Sequence, residues 1–333
     1  MIRKIISGLV LSLVACALLT AGGAGDTTDD GTTRIGISKI VAHPALDAVE
    51  KGVQDELAAR GITAVYDLQN ANGDVNTATQ IATKFKRDKV DVIVAIATPM
   101  AVSAANSVRD IPVVFSVVTD PVSAGLVPNL SKGEGNVTGL SDKTDIYAHL
   151  ELFKRIAGIK TLGHIFTSSE ANSAAALAEL EDACKKLSIE LVVQSINNSS
   201  EVKQATEAII RRVDGIYLTT DNTVYSALPA LVEVALSQKK PVFSSDPTSA
   251  IEGGCVIASG FDYYKAGRAT GAMVAEILEG RNPDSMPTKF LTDPSEQNLL
   301  LDLDAAKICG ITLPEDLIKS ANQIIENGKL TTR

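Results

Sequence analysis

The chain is predicted to fold as an α/β protein of two lobes, each built on a parallel sheet. Three observations carry this. The stretch from Arg34 to Pro247 states one pattern twice, in the same order and spacing. Each statement alternates short β-branched apolar runs with helical patterns, the signature of βαβ units feeding a parallel sheet. And 333 residues, 45% hydrophobic and 21% charged, can bury two ordinary cores.

The first copy runs RIGISKI, NANGDVNTATQIATKF, VDVIVAIATP and IPVVFSVVTDP. Its strands are predicted at Arg34 to Ile40, Ala64 to Leu68, Val90 to Ala97 and Pro112 to Val117. The intervening helix has Pro44 at its start, an apolar stripe of Leu46, Val49, Val53 and Leu57, and Gly61 as its stop. The next opens on Asp74 as N-cap and is expected to bury Val75, Ala78, Ile81 and Phe85. The second copy runs TLGHIF, NNSSEVKQATEAII, VDGIYLTTDN and KPVFSSDP. Strands are predicted there at Thr161 to Phe166, Glu190 to Ser195, Gly215 to Leu218 and Pro241 to Ser244. Open parallel sheets take ligands outside the carboxyl ends of their strands, so two such lobes facing each other enclose a cleft.

The amino terminus carries a different message. Arg3 and Lys4 precede an apolar run from Ile5 to Val14, and Leu13, Val14, Ala15 and Cys16 spell LVAC. This resembles a bacterial lipobox, which makes residues 1–16 a signal peptide ending at Cys16, the lipidated first residue of the mature chain. The alternative is an ordinary secretory signal cut near Ala24. The apolar character fades short of the ~20 residues a membrane span needs. Residues 17–33, rich in Gly, Thr and Asp, read as a flexible tether.

A formal net charge of -9, with Lys and Arg spread along the chain, argues against nucleic acid and anionic membrane as partners. Cys184, Cys255 and Cys309 show no metal-like spacing; one disulfide among them stays open, and Cys184 continues an apolar stripe. No GxGxxG, GxxxxGK[ST] or GxSxG motif appears, and His43, His149 and His164 lack partners at metal-ligand spacing. No catalytic residue, metal or cofactor is expected. His43, just after the first strand, is expected to be a partly exposed loop residue, with contact to a ligand as the other reading.

Hydroxyls, amides and carboxylates collect after the strands: Thr98, Thr119 and Asp120 in the first copy, and Ser168 to Ser173, Thr219 to Asn222 and Ser244 to Asp246 in the second. With free N–H groups at helix starts, they suit a small zwitterion. Each of them alone reads more readily as an N-cap or turn residue than as a ligand contact. Their recurrence at matching loops lifts the group above its members.

The stretches NVTGLSD (Asn136 to Asp142), EANS (Glu170 to Ser173), TDN (Thr220 to Asn222) and DYYKAGRATG (Asp262 to Gly271) resemble the ABC transporter substrate-binding lipoproteins that include tryptophan and tyrosine binders. The likeness runs from Arg34 essentially to the C-terminus. It implies a type I periplasmic-binding-protein fold, or Venus flytrap, of two Rossmann-like lobes joined by three hinge crossovers. It further implies no catalysis, and delivery of a captured solute to an ABC permease by an exported, lipid-anchored monomer. Thr98, Thr119, Asp120, Asn172, Ser173, Thr220, Asp221 and Asn222 would then line the site, with Asp120 and Asp221 on the ammonium of an amino acid. Asp221→Ala is expected to weaken binding without unfolding the protein. FTSSEANS and SSDPTSAIEGG are strongly polar, which leaves the aromatic character of the pocket open. A sugar or nucleoside binder on the same fold is the alternative, though sugar sites favour aromatic platforms and the chain has 4% aromatic residues and no Trp. A repressor would need a DNA-reading helix-turn-helix where the signal and tether lie.

The chain path places the crossovers near Gly139 to Thr144, Ser259 to Tyr263 and Phe290 to Pro294. The N-terminal lobe is then 34–140 plus 263–291, and the C-terminal lobe 141–262 plus 292–330.

Overall fold

A computed structural model describes residues 31–333. The expected signal peptide, Cys16 and the expected tether up to residue 30 lie outside the described residues. The first copy folds as β1 (Thr33–Lys39), α1 (Pro44–Ala59), β2 (Ala64–Asn70), α2 (Val75–Arg87), β3 (Val92–Ile96), α3 (Thr98–Ser107), β4 (Val113–Ser116) and β5 (Val137–Ser141). Proline at the start of α1 gives up no hydrogen bond, because the first turn has no intrahelical acceptor for that N–H. The stripe Leu46, Val49, Val53 and Leu57 is buried, as its spacing predicts. Asp74 caps α2 by accepting from the Thr77 N–H at 2.5 Å. Ala78, Ile81 and Phe85 are buried there, but Val75, the first residue of the helix, is 48% exposed.

The second copy gives α4 (Ile146–Ala157), β6 (Thr161–Thr167), α5 (Ala171–Leu187), β7 (Glu190–Ile196), α6 (Val202–Ile209), β8 (Gly215–Leu218), α7 (Asn222–Tyr225), α8 (Leu228–Ser237), β9 (Val242–Ser244) and β10 (Ile257–Phe261). The chain continues through α9 (Tyr263–Leu278), β11 (Lys289–Phe290), β12 (Gln297–Asp302), α10 (Leu303–Ile308), α11 (Glu315–Ser320), β13 (Gln323–Glu326) and β14 (Lys329–Thr332).

Two sheets result. One has the order β11-β5-β4-β3-β1-β2 and is parallel throughout. The other runs β14-β13-β12-β10-β9-β8-β6-β7, parallel except where β12 meets β10 and β14 meets β13. The chain passes from the first sheet to the second after β5, returns after β10, and crosses again after β11, which gives three crossovers. On the second passage α9 lies against α1 at close range. A Cβ built on Gly267 would stand 2.3 Å from the Val49 carbonyl oxygen, and one on Gly52 2.3 Å from that of Tyr264, so two backbones meet where only glycine leaves room.

Three apolar clusters fill the layers. One packs around the first sheet from Ile35 to Leu291, and the other two cover the opposite faces of the second. Cys184 and Cys255 are buried, Cys309 is half-buried, and all three are free thiols. Among the described residues no helix is long and apolar enough to cross a membrane.

Candidate functional site

The carboxyl ends of both sets of strands meet around a cavity lined by twelve residues. His43, Leu46, Thr98, Val117 and Thr119 come from the first sheet's loops and helices. Asn172, Thr220, Asn222, Tyr225 and Asp246 come from the second. Asp142 and Tyr263 sit on two of the crossovers. Two contacts tie the lobes directly: Thr119 Oγ1 lies 2.8 Å from Thr220 Oγ1, and His43 Nδ1 lies 3.2 Å from Ser249 Oγ. With the lobes in this arrangement the cavity measures about 10 Å³, room for about one water. A larger solute requires them to part.

The backbone is strained where the first lobe meets the cavity. Ala97, between β3 and α3, has φ 76° and ψ 155°, a region that glycine alone occupies freely. Val117, at the end of β4, has φ 52°, which its branched Cβ opposes. These departures let the chain turn abruptly after each strand, and bring Thr98 and Thr119 onto the cavity wall.

Of the residues expected in the site, Thr98, Thr119, Asn172, Thr220 and Asn222 line the cavity. Asp120, Ser173 and Asp221 do not. Asp120 spends its carboxylate as a turn cap, accepting from the Ser123 N–H at 2.9 Å and its hydroxyl at 2.8 Å. Asp221 is 1% exposed and accepts four bonds from the protein: Thr167 N–H at 2.6 Å, Thr167 Oγ1 at 2.9 Å, Ser173 Oγ at 2.5 Å and Val224 N–H at 2.9 Å. Its carboxylate holds β6, α5 and α7 together and has no oxygen turned to the cavity. For these two residues the cap reading prevails over the ligand reading. Ser173 is occupied by the same bond to Asp221.

The carboxylates that do face the cavity are Asp142, the last residue of NVTGLSD, and Asp246, in SSDP. Both are almost wholly buried. Burial pushes Asp142 up to about 6, against the stabilising hydroxyls of Tyr263 (3.0 Å) and Thr119 (3.1 Å). Asp246 is likewise raised to about 6 by burial, with the Asp142 charge adding to it and the Ser249 N–H at 2.9 Å opposing. Behind the second-lobe wall, Glu170 bonds the Asn222 side chain at 2.6 Å, the Asn172 side chain at 3.1 Å and the Thr223 N–H at 3.0 Å. It sets the orientation of both asparagines, and burial together with the nearby Asp221 raises its pKa.

His43 is buried rather than partly exposed, because the second lobe covers it, and burial lowers it to about 4, leaving it neutral. Sequence reasoning missed Asp142, Tyr225 and Tyr263 as wall residues, and counted Asp246 among the strand-end groups without assigning it to the site. Asp142 and Tyr263 lie inside the motifs NVTGLSD and DYYKAGRATG, so the signal was present. Three wall residues also carry a buried polar atom with no protein partner: His43 Nε2, Thr98 Oγ1 and Asn172 Oδ1. Buried polar atoms are rarely left so, and three around one cavity mark a place for a polar solute. Among the described residues no group of His, Cys, Asp and Glu could hold a metal ion.

Residues 34–325 match the family of ABC transporter substrate binding proteins. A tyrosine-binding protein of Clostridioides difficile is 36% identical over 320 residues, covering 92% of each chain. The structure of an ABC domain from Streptococcus pneumoniae in complex with L-Trp superposes with a TM-score of 0.84 at 32% identity, covering 88% of this chain and all of that one. A ligand-free, open structure of a substrate-binding protein with adhesive properties from Clostridium difficile reaches only 0.64, although it is 35% identical and covers 86% and 97% of the two chains. Equal kinship with unequal superposition is what a different lobe arrangement produces. The chain belongs to the ABC transporter substrate-binding proteins, exported receptors that bind a small molecule for a membrane permease and are not enzymes.

Proposed function

We propose that this receptor captures an aromatic L-amino acid between its lobes. The observation that carries the reading is the cavity wall itself. It combines partnerless buried polar atoms on His43, Thr98 and Asn172, buried carboxylates, and the rings of His43, Tyr225 and Tyr263 beside Leu46 and Val117. The start of α3 at Thr98 offers N–H groups and the positive end of a ten-residue helix to a carboxylate. Thr119, Thr220 and Asn222 supply further hydrogen bonds, and the aromatic rings with Leu46 give the side chain an apolar surface. The tyrosine named in one relative and the L-Trp bound by another favour the same class.

Binding works by the hinge. The Thr119–Thr220 and His43–Ser249 contacts bridge the lobes, so a solute that also bridges them favours the closed arrangement by the contacts it adds there. Residues 34–140 with 263–291 act as one lobe, and 141–262 with 292–330 as the other. The mature chain begins at a lipidated Cys16, is tethered to the membrane surface by residues 17–33, and works as a monomer. Cys16→Ser is expected to abolish incorporation of labelled palmitate in a bacterial host, and retained label overturns the anchor.

The solute is tested by thermal shift on the mature domain against amino acids, sugars, nucleosides and polyamines. A solute at ~100 times its dissociation constant adds about 2.7 kcal/mol, a rise of roughly 5 °C for a body of this size. A rise confined to tyrosine, tryptophan or phenylalanine supports the reading. A rise only with sugars or nucleosides overturns it.

A further inference from the structure

We infer that Asp142 and Asp246 share a proton that the solute's ammonium displaces, so that the pair selects for a cationic amine and capture releases a proton. This rests on the amino-acid reading above and assigns its charge recognition. Both carboxylates line one cavity, are 3% and 1% exposed, and belong to different parts of the chain, a crossover and a second-lobe loop. No Lys or Arg stands on that wall.

The groups facing the pair offer no compensating charge. Asp142 meets the hydroxyls of Tyr263, from α9, and Thr119, from the end of β4. Asp246 meets Ser249, whose hydroxyl is tied to the neutral His43 ring at the start of α1. Tyr225, from α7, bonds Ser244 Oγ at 2.9 Å. Lys143, next to Asp142 in the chain, pairs instead with Glu179. Behind the second-lobe wall, Glu170 and Asp221 add only further acid.

Two ionised carboxylates buried around a space with room for about one water repel each other, and a cation or a proton has to relieve them. An ammonium placed between them does so and makes the proton unnecessary. The balance is simple: the protonated carboxyl loses H⁺ to solvent, and the amine enters already protonated and stays so. A hydroxyl or an uncharged amide in that position cannot take the proton's place, which is how the pair discriminates. Burial pushes both carboxyls up to about 6, and the Asp142 charge adds to the rise of Asp246.

Isothermal calorimetry with L-tyrosine, L-tryptophan and L-phenylalanine, in buffers of different ionisation enthalpy, counts the protons. Near pH 6 the expected release is roughly half to one proton per solute, falling towards zero near pH 8, and affinity is expected to weaken about tenfold from near pH 7.5 to near pH 5. Asp246→Asn, which keeps an oxygen for the Ser249 N–H, and Asp142→Asn are each expected to reduce the release and weaken binding at least about tenfold near pH 7.5. The wild-type proton count needs no variant and stands even if one fails to fold. Aromatic amino acids that bind with no proton change near pH 6, or folded variants that bind and release as the wild type does, overturn the inference and leave the solute reading intact. No binding of these amino acids at any pH overturns the solute reading beneath it.

Discussion

Thr119 Oγ1 lies 2.8 Å from Thr220 Oγ1, and this hydroxyl pair joins the end of the first lobe's β4 to the second lobe's TDN loop across the cavity. Thr119 also donates to Asp142 at 3.1 Å, so the contact between lobes is continuous with a buried acid. Both threonines are positioned to exchange this bond for bonds to a solute.

Thr220→Val keeps the shape and removes the hydroxyl. A neutral hydrogen bond contributes about 1 kcal/mol net, so solute affinity is expected to fall about fivefold with the melting temperature of the free protein nearly unchanged. Calorimetry checks this. Affinity equal to wild type would remove Thr220 from the binding surface.

Asp221 and Asp120 are expected to behave differently from the ligand contacts that their loops suggest. Asp221→Ala leaves the Thr167 and Val224 N–H groups and two hydroxyls without an acceptor in a buried place. The expected cost is about 3 kcal/mol of folding stability, with solute binding lost only as far as the fold is lost. Asp120→Ala removes an exposed turn cap and is expected to leave affinity unchanged. Urea unfolding with calorimetry separates the two effects. A fully stable Asp221→Ala that no longer binds would restore it to the site.

The fold was legible because periodicity and turn residues act locally. The stripe of α1, the Asp74 cap and the paired strand pattern each follow from neighbours in the chain. The C-terminal hairpin of β13 and β14 was overlooked despite a clear signal: Asn327 and Gly328 both take positive φ (53° and 68°), which suits the tight turn an Asn-Gly pair favours. The site was half legible. Thr98, Thr119, Asn172, Thr220 and Asn222 follow from strand-end position alone. Which carboxylate faces the cavity does not, because Asp221 and Asp246 occupy similar loops and differ only in what packs behind them. His43 reads as a loop residue until a second lobe, more than 200 positions away in the chain, closes over it.

Burial of His164 gives the protein a built-in acid sensitivity. The ring is 0% exposed, its Nδ1–H donates to the Tyr217 carbonyl at 2.9 Å, and burial lowers its pKa from 6.5 to about 4. The unfolded chain therefore takes up a proton that the folded chain refuses between those values. This contribution is fully present above about pH 6.5 and is lost as pH falls towards 4, a change of about 3 kcal/mol. Asp142 and Asp246 act oppositely, because their raised values make the folded state the better proton binder between about pH 4 and 6. His164→Gln can keep the bond to Tyr217, so its stability is expected to gain on the wild type's as acid is added. Denaturation curves that stay parallel from near pH 7.5 to near pH 4.5 would show that His164 is protonated in the fold.

Ala97 offers a test of strain at the cavity rim. Its φ of 76° with ψ of 155° costs of order 1–3 kcal/mol for a residue with a Cβ, while glycine pays about 0.5–1 kcal/mol in unfolded-state entropy. Ala97→Gly is therefore expected to stabilise the protein by about 1 kcal/mol, visible as a higher urea midpoint at unchanged slope. Alanine here helps hold the turn that carries Thr98, so the same variant is expected to bind solute more weakly through a looser start of α3. Greater stability with weaker binding would identify the strain as part of how the site is held in shape. A destabilised variant would mean that the backbone at residue 97 is not strained.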